Sequence, residues 1–386
     1  MKEELLMKKL VSMLLALVML VGVFAVSAAA EESSPYKIAI LTGTTSQGDE
    51  EYYAAEALKE AYPDIVLHDT YPDNFSSEVE TTISKLLTFA EDPEVKAILF
   101  VQGVQGATAA FNQIKEKRPD ILLVCGVPAE DPVPIGAAAD ICLANDEIGC
   151  GYQVADLAYE WGCEVLVHYS FARHLGYETI QGKRVAMKDT AEAYGIEFVD
   201  RDCPDPTGDA GMSGAQAAIL EDVPKVMEEY AGKKVCFYCT NCGMQVALQQ
   251  AVLEQPDAYY ALPCCPSPFH GFQQAFGLDS TAQGDIDAAL KELANFLETK
   301  DATGRFSTWS LPVNMSMIAG MFDYACKYAE GEIEGKIDEE LMAKCIAAAA
   351  GLDSIEMDVY TAADGSTVDN YYLLALEPIN FADYVG

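Results

Sequence analysis

The stretch CFYCTNCGMQ places Cys236, Cys239 and Cys242 three residues apart, and a Cys264-Cys265 pair follows. Thiols at such spacing have three chemistries open to them: a zinc or iron–sulfur centre, a disulfide, or a nucleophile paired with histidine. The elements around them decide. Cys236 and Cys239 fall in KVCFYCT (234–240), which reads as a strand, and residues three apart in a strand point to opposite faces. One centre cannot be wrapped by those two. Burial as small apolar side chains is the better account of Cys236, and also of Cys125, Cys163 and Cys345. Cys242 differs, because it stands where the strand ends and the helix MQVALQQAVLEQ begins. Cys264 and Cys265 end the next strand, AYYALP (258–263), which should lie alongside. A Cys242 bridge to Cys264 or Cys265 is one expectation and separate thiols are the other, since spacing does not fix connectivity.

Catalysis and metal binding are the rival uses of these groups. A thiol at a helix N-terminus is activated when His174 or His270 approaches it. A metal could instead draw on His174, His270, Cys203, Cys242 and Cys264 at one sheet edge. Yet no nucleophile motif surrounds Cys242, and GxSxG, HExxH, GxGxxG and P-loop patterns do not occur. The sequence therefore leads us to expect no enzyme, no metal and no cofactor. The alternative is a cysteine/histidine-dependent enzyme or a metal-binding protein built on the same loops.

The elements that position these residues alternate regularly. KIAILTG, IVLHDT, VKAILFVQG, ILLVCG and DICLA read as strands separated by amphipathic helices. The series restarts with the helix DEIGCGYQVADLAYEWG and the strand EVLVHYS. It continues through a helical stretch from Ala172 to about Tyr194, the strand IEFVD, and the helix GAQAAILEDVPKVMEEY before the cysteine-bearing strand. Strands apolar throughout and separated by helices predict parallel sheets covered on both faces. Two βα series of similar length predict two doubly wound lobes. We expect residues 36–145 to form an N-terminal lobe and 146–275 a C-terminal lobe. Residues 276–386 should complete both, with a hairpin turning near Ala363-Asp364-Gly365.

The first thirty residues carry lysines, an apolar run from Leu10 to Val26 and then Ser27-Ala28-Ala29-Ala30, the pattern of a secretory signal peptide cleaved after Ala30. No cysteine adjoins that point, so no lipoprotein anchor is expected. Removal takes away three lysines and two glutamates and moves the formal charge from −37 to −38. So acidic a chain cannot neutralise phosphates, which argues against nucleic acid, and it suits a solvated exported surface.

The opening KIAILTGTTSQ, the segment ANDEIGCGYQVADLA and the turn YCTNCGMQVALQQAV resemble the type I periplasmic-binding-protein family across most of the mature chain. Asn241-Cys242 stands where sugar-binding members usually carry Asn-Asp, a departure from the sugar pattern. HYSFARH, CPDPTGDAG, TNCGMQ and CCPSPFHGF are similar to a narrower bacterial family of exported proteins without an assigned function. The resemblance implies an α/β fold of two doubly wound parallel-sheet lobes with a ligand cleft between them. It also implies an exported solute-binding protein, periplasmic or at the cell surface, that captures a small polar ligand for uptake or sensing and serves a membrane transporter or receptor. Loops at the carboxyl ends of parallel strands line such crevices. The candidate ligand-binding residues there are Thr44, Thr45, Gln102 and Gln105 in the first lobe. In the second they are Ser170, Arg173, His174, Asn241 and Ser267.

Overall fold

The computed structural model describes residues 36–46, 49–278, 286–362 and 364–385. The expected signal peptide and Ala363 of the expected turn lie outside these residues. The chain divides into two compact units, one running through Asn145 and taking up Val313–Ala375, the other comprising Asp146–Pro312 and Leu376–Gly386.

The first unit is built from β1 (Lys37–Thr42), α1 (Asp49–Ala61), β2 (Val66–Thr70), α2 (Val79–Glu91), β3 (Val95–Val101), α3 (Ala107–Lys117), β4 (Leu122–Gly126), α4 (Pro132–Ala138) and β5 (Ile141–Asn145). The second contains α5 (Glu147–Glu160), β6 (Val165–Ser170), α6 (Glu178–Ala193), β7 (Glu197–Asp202), α7 (Gly211–Glu229), β8 (Val235–Cys239), α8 (Cys242–Leu253) and β9 (Ala258–Tyr260). It continues through α9 (Phe272–Phe276), α10 (Ile286–Thr299) and β10 (Ser307–Trp309). The chain then supplies α11 (Val313–Ala329), α12 (Glu339–Ala350), β11 (Met357–Thr361) and β12 (Thr367–Leu374) to the first unit, and β13 (Pro378–Asn380) to the second.

The first sheet runs β11-β12-β5-β4-β3-β1-β2. Its core strands are parallel, and the β11–β12 hairpin is antiparallel, with β12 joined to β5 in parallel. The second sheet runs β7-β6-β8-β9, all parallel. β10 and β13 form a separate antiparallel pair. Both units are therefore α/β lobes of doubly wound type. Each sheet also reverses its strand order at one point, between β1 and β3 in the first and between β6 and β8 in the second. Loops leaving the carboxyl ends at such a switch point diverge to opposite sides and leave room for a ligand.

Burial explains why these strands lack polar alternation. β1 from Ile38, β4, β5, β6 and β8 are buried along their length, as strands covered on both faces must be. In β8 the two faces enter different cores. Cys236 and Tyr238 pack with Cys150, Cys163 and Met187, while Phe237 and Cys239 pack with Val223, Leu248 and Phe272.

Three local expectations change. The helix expected from Ala172 is interrupted: a short 3-10 turn, His174–Gly176, gives way to extended backbone at Tyr177 before α6 starts. Arg173 and His174 thus stand on a loop. The strand expected over 258–263 ends at Tyr260, three residues before Pro263, which has no N–H to donate to a ladder. Strands β10 and β13, three residues each, are too short for periodicity to reveal. Among the described residues, no helix is long and apolar enough to cross a membrane.

Candidate functional site

The carboxyl edge of the second sheet carries most of the chemistry. At its switch point, Asn241 precedes α8, and its side-chain Oδ1 accepts from the Gly243 N–H at 2.9 Å, capping the helix. That bond fixes the amide, so Nδ2 donates to His174 Nε2 at 3.3 Å. The remaining ring proton is then on Nδ1, which donates to Thr240 Oγ1 at 3.2 Å. Thr240 in turn lies 2.9 Å from Ser170 Oγ. Burial, with Arg173 adding to it, pushes the His174 imidazole down to about 3, so the ring is neutral and one tautomer is selected. Asn241, His174 and Ser170 are thereby brought into one hydrogen-bonded chain.

Arg173 joins a different pair. Its Nε and Nη2 donate to the two carboxylate oxygens of Asp205 at 2.7 and 2.9 Å, Nη1 donates to Tyr177 Oη at 2.9 Å, and the guanidinium lies 5.2 Å from the Phe171 ring centre. Burial would raise the Asp205 carboxyl, but Arg173 and Thr207 outweigh it and hold the group down at about 2. A carboxyl depressed in the folded state adds stability above its ordinary value and loses it as pH falls through the folded value. Between about pH 4 and 2 this group should forfeit about 2 kcal/mol. Urea unfolding at stepped pH checks this: Asp205→Asn should remove that part of the acid slope, and an unchanged slope would show that the pair contributes nothing.

Ser267 is buried in the loop after β9, where its Oγ accepts from the Phe269 N–H at 3.1 Å and its carbonyl accepts from Thr308 Oγ1 at 3.2 Å. In the first unit, Thr44 and Ser46 both donate to Asp73, and Thr45 is exposed beside them. Gln102 donates through Nε2 to Glu51 Oε1 at 2.7 Å and accepts from Tyr71 Oη at 3.3 Å. Asn314, at the start of α11, donates to the same Glu51 oxygen at 2.6 Å. Gln105 stands in the same loop as Gln102, just before α3. Two residues of this edge hold left-handed backbone without being glycine: Gln102 (φ 53°) follows β3, and the β-branched Val127 (φ 47°) follows β4. Such strain survives only where surrounding structure enforces it, and it clusters at functional loops.

The densest constellation is one that sequence reasoning weighed in part and set aside, with Cys242, Cys264 and His270 among the candidate metal ligands and Cys265 only a bridge partner. Cys242 Sγ lies 3.2 Å from Cys265 Sγ and 3.7 Å from Cys264 Sγ, and Cys264 Sγ lies 4.0 Å from Cys265 Sγ and 3.7 Å from His270 Nε2. All four ligand atoms lie within 4.8 Å of one another. These are contact separations between sulfurs, well beyond the ~2.05 Å of a bonded pair. His174 and Cys203, the other groups weighed for a metal, stay outside: His174 is engaged as above, and Cys203 donates to the Ala215 carbonyl. Cys236 is fully buried on the far face of the strand.

Packing around the cluster is specific. Gln245 Oε1 accepts from the Cys239 thiol at 3.0 Å and from the Cys264 N–H at 3.4 Å. One turn along α8, Gln249 Nε2 donates to the His270 carbonyl at 3.0 Å and to Tyr260 Oη at 3.1 Å. Trp309 Nε1 donates to the Pro263 carbonyl at 2.9 Å from β10. Gly271 turns the chain away with φ 81°, and a Cβ there would stand 2.7 Å from Gln249 Oε1. Burial raises the Cys264 thiol well above its ordinary value and pushes the His270 imidazole down to about 4, leaving its ring neutral and able to offer a lone pair.

This arrangement overturns the expectation that the protein is not an enzyme. That expectation rested on missing local motifs, whereas Cys242, Cys264, Cys265 and His270 form a three-cysteine, one-histidine donor set assembled by the fold. Such a set can hold a metal ion, so metal binding and metal-assisted chemistry stand open at this edge.

Comparison with known proteins agrees with the architecture. An uncharacterized protein of Treponema pallidum (strain Nichols) is 37% identical over 180 residues, covering 45% of this chain and 81% of that protein. A crystal structure from Clostridium difficile 630, described as a "Putative transcriptional regulator", matches with a TM-score of 0.71 at 20% identity over 90% of this chain and 99% of that one. An ABC transporter periplasmic solute binding protein from Actinobacillus succinogenes 130z, solved with bound D-allose, matches with a TM-score of 0.54 at 14% identity, covering 80% and 99%. At these identities the solved structures establish the fold, which is type I periplasmic-binding-protein-like. The family model described as "Protein of unknown function (DUF3798)" matches residues 36–307, and the chain belongs to that family.

Proposed function

We propose that this chain is an exported solute-binding protein that captures a small polar ligand and presents it to a membrane transporter or receptor. The observation that carries the reading is the oriented chain Asn241–His174–Thr240–Ser170 at the β6/β8 switch point, in a fold shared with solute-binding proteins. A neutral histidine whose two ring nitrogens engage Asn241 and Thr240 adds no charge and fixes the Asn241 amide, whose second Nδ2 hydrogen suits recognition of a hydroxyl or carbonyl oxygen. Arg173 adds the one cation of this edge loop, and Ser267 a hydroxyl in the neighbouring turn. Thr44, Thr45, Gln102 and Gln105 are the corresponding ligand-contacting groups of the first unit. Glu51 and Asp73 hold two of these, Gln102 and Thr44, in place beforehand, which lowers the ordering cost of binding.

Native and denatured intact-mass spectra of gently purified protein should differ by the mass of the ligand. Thermal-shift titration with monosaccharides, amino acids, nucleosides and dicarboxylates extends the test. A bound ligand at a hundred times its Kd stabilises by about 2.7 kcal/mol, and an absence of stabilisation by the whole panel, with no mass difference, would remove the reading. Arg173→Ala should weaken the ligand so found by roughly ten- to over a hundredfold, the loss of one charge-assisted hydrogen bond. Unchanged affinity in a folded variant would remove Arg173 from the site.

A further inference from the structure

We propose that Cys242, Cys264, Cys265 and His270 bind one Zn2+ ion, which ties the N-terminus of α8 to the loop that follows β9. The inference stands apart from solute capture and rests on geometry. With Zn–S bonds of about 2.3 Å and a Zn–N bond of about 2.05 Å, a tetrahedral site sets sulfurs about 3.8 Å apart and sulfur from nitrogen about 3.6 Å. The separations here are 3.2, 3.7 and 4.0 Å between sulfurs and 3.7 Å from Cys264 to His270. Small shifts of side chains that already touch complete the tetrahedron.

The donor set selects the ion. Thiolates favour Zn2+, Cu+ and iron–sulfur clusters over hard cations, and an imidazole fourth ligand in a mononuclear tetrahedron suits zinc. Binding displaces three thiol protons to solvent, and three thiolates with Zn2+ leave one negative charge. That charge falls at the first turn of α8, the positive end of a twelve-residue helix.

Neighbouring groups also brace the loop that carries the ligands, as ordered metal sites require. Gln245 and Gln249 project from α8 to hold the backbone at Cys264 and His270, and Trp309 holds the Pro263 carbonyl. Three of the four ligands lie in one loop that is therefore shaped independently of the ion. Four protein ligands close the coordination sphere, so the ion's role is to staple the edge.

The test uses the full chain, purified and kept under a reductant, titrated with Zn2+ and separately with Co2+. One ion per chain is expected. Cobalt should show thiolate-to-metal charge-transfer absorption and the intense ligand-field bands of a tetrahedral site. Cys265→Ser, at a half-buried side chain outside the apolar cores, should retain the fold and lose stoichiometric zinc. Gln249→Ala keeps all four ligands and should weaken zinc by about 10–100-fold in chelator competition. A reduced wild-type chain that takes up no stoichiometric cobalt, or shows an octahedral spectrum, overturns the proposal whether or not any variant folds. Wild-type zinc affinity in Cys265→Ser overturns it too, as does iron or copper held in preference by these four residues.

Discussion

Phe272→Ala should destabilise the second unit by ~3–5 kcal/mol, the range for emptying a fully buried aromatic site. Phe272 is completely buried and meets Tyr260 edge-on at 5.6 Å, Phe381 edge-on at 6.0 Å, and Phe276 and Phe306 at 5.8 and 6.5 Å. Phe276 belongs to the same helix, and the other three partners come from β9, from the segment before β10 and from the C-terminal turn Phe381–Tyr384. The ring is thus the point where three separate returns of the chain meet. Relaxation into the void is limited because the neighbours are rigid rings held against a sheet, so the upper half of the range is the better expectation. Phe272 also directly follows Gly271, which ends the His270 loop, and Tyr260 Oη shares Gln249 with the His270 carbonyl. Loss of the ring should therefore loosen the loop as well as the core. Urea unfolding gives the first quantity. Hydrogen exchange at residues 264–271 gives the second and should accelerate more than exchange in β6. A cost below about 1.5 kcal/mol would mean that the site collapses freely and that the aromatic cluster is not the anchor of this edge.

The limits of sequence reading lie at the same place. Strands and helices were legible because both-face burial produces apolar runs of strand length and because helices with one wet face repeat at 3.6 residues. The opposite-face argument for Cys236 and Cys239 follows from the same geometry, and the two thiols do enter different cores. Cys242 and Cys264 were visible as neighbours because adjacent parallel strands must end side by side. Cys265 was visible only as a bridge partner and His270 only as one of several groups at the edge; that these two, and not His174 and Cys203, complete the set was not. The path of residues 263–271 is dictated by Trp309, Thr308 and Gln249, and β10 is only three residues long. No local pattern encodes that path. The same holds for Arg173, for which the sequence offers Glu178 as the nearest acid. The fold brings it Asp205 from the loop after β7, an acid far away in sequence, because Arg173 stands on a loop rather than in the expected helix. Edge chemistry is set by loop trajectories, and those belong to tertiary structure.

Lys183→Met should cost ~3–5 kcal/mol, while Lys183→Met combined with Glu147→Gln should recover most of the loss. The Lys183 side chain is only 1% exposed, in direct contact with the Glu147 carboxylate, and its ammonium lies 5.5 Å from the Tyr238 ring centre. The two residues come from α6 and α5, helices that approach so closely at Gly151 that a Cβ there would stand 2.4 Å from the Lys183 carbonyl oxygen. Methionine fills similar volume without charge, so the single variant isolates the electrostatic effect. It leaves a carboxylate largely shielded from water and deprived of its counterion. Two features place the expectation toward 3 rather than 5. Glu147 retains 17% exposure, and it occupies the first turn of α5, where the helix dipole favours negative charge. Burial alone would lower the Lys183 pKa; Glu147 first, then Cys150 and Cys264, overcome that and raise it. A lysine raised in the folded state contributes fully below its ordinary value of about 10.4 and loses that contribution only as pH rises through the folded value. The cost of Lys183→Met should therefore be flat from pH 6 to 9 and shrink only at strongly alkaline pH. A cost that already fell between pH 6 and 9, or a double variant no more stable than the single one, would show that the pair does not act as a buried ion pair.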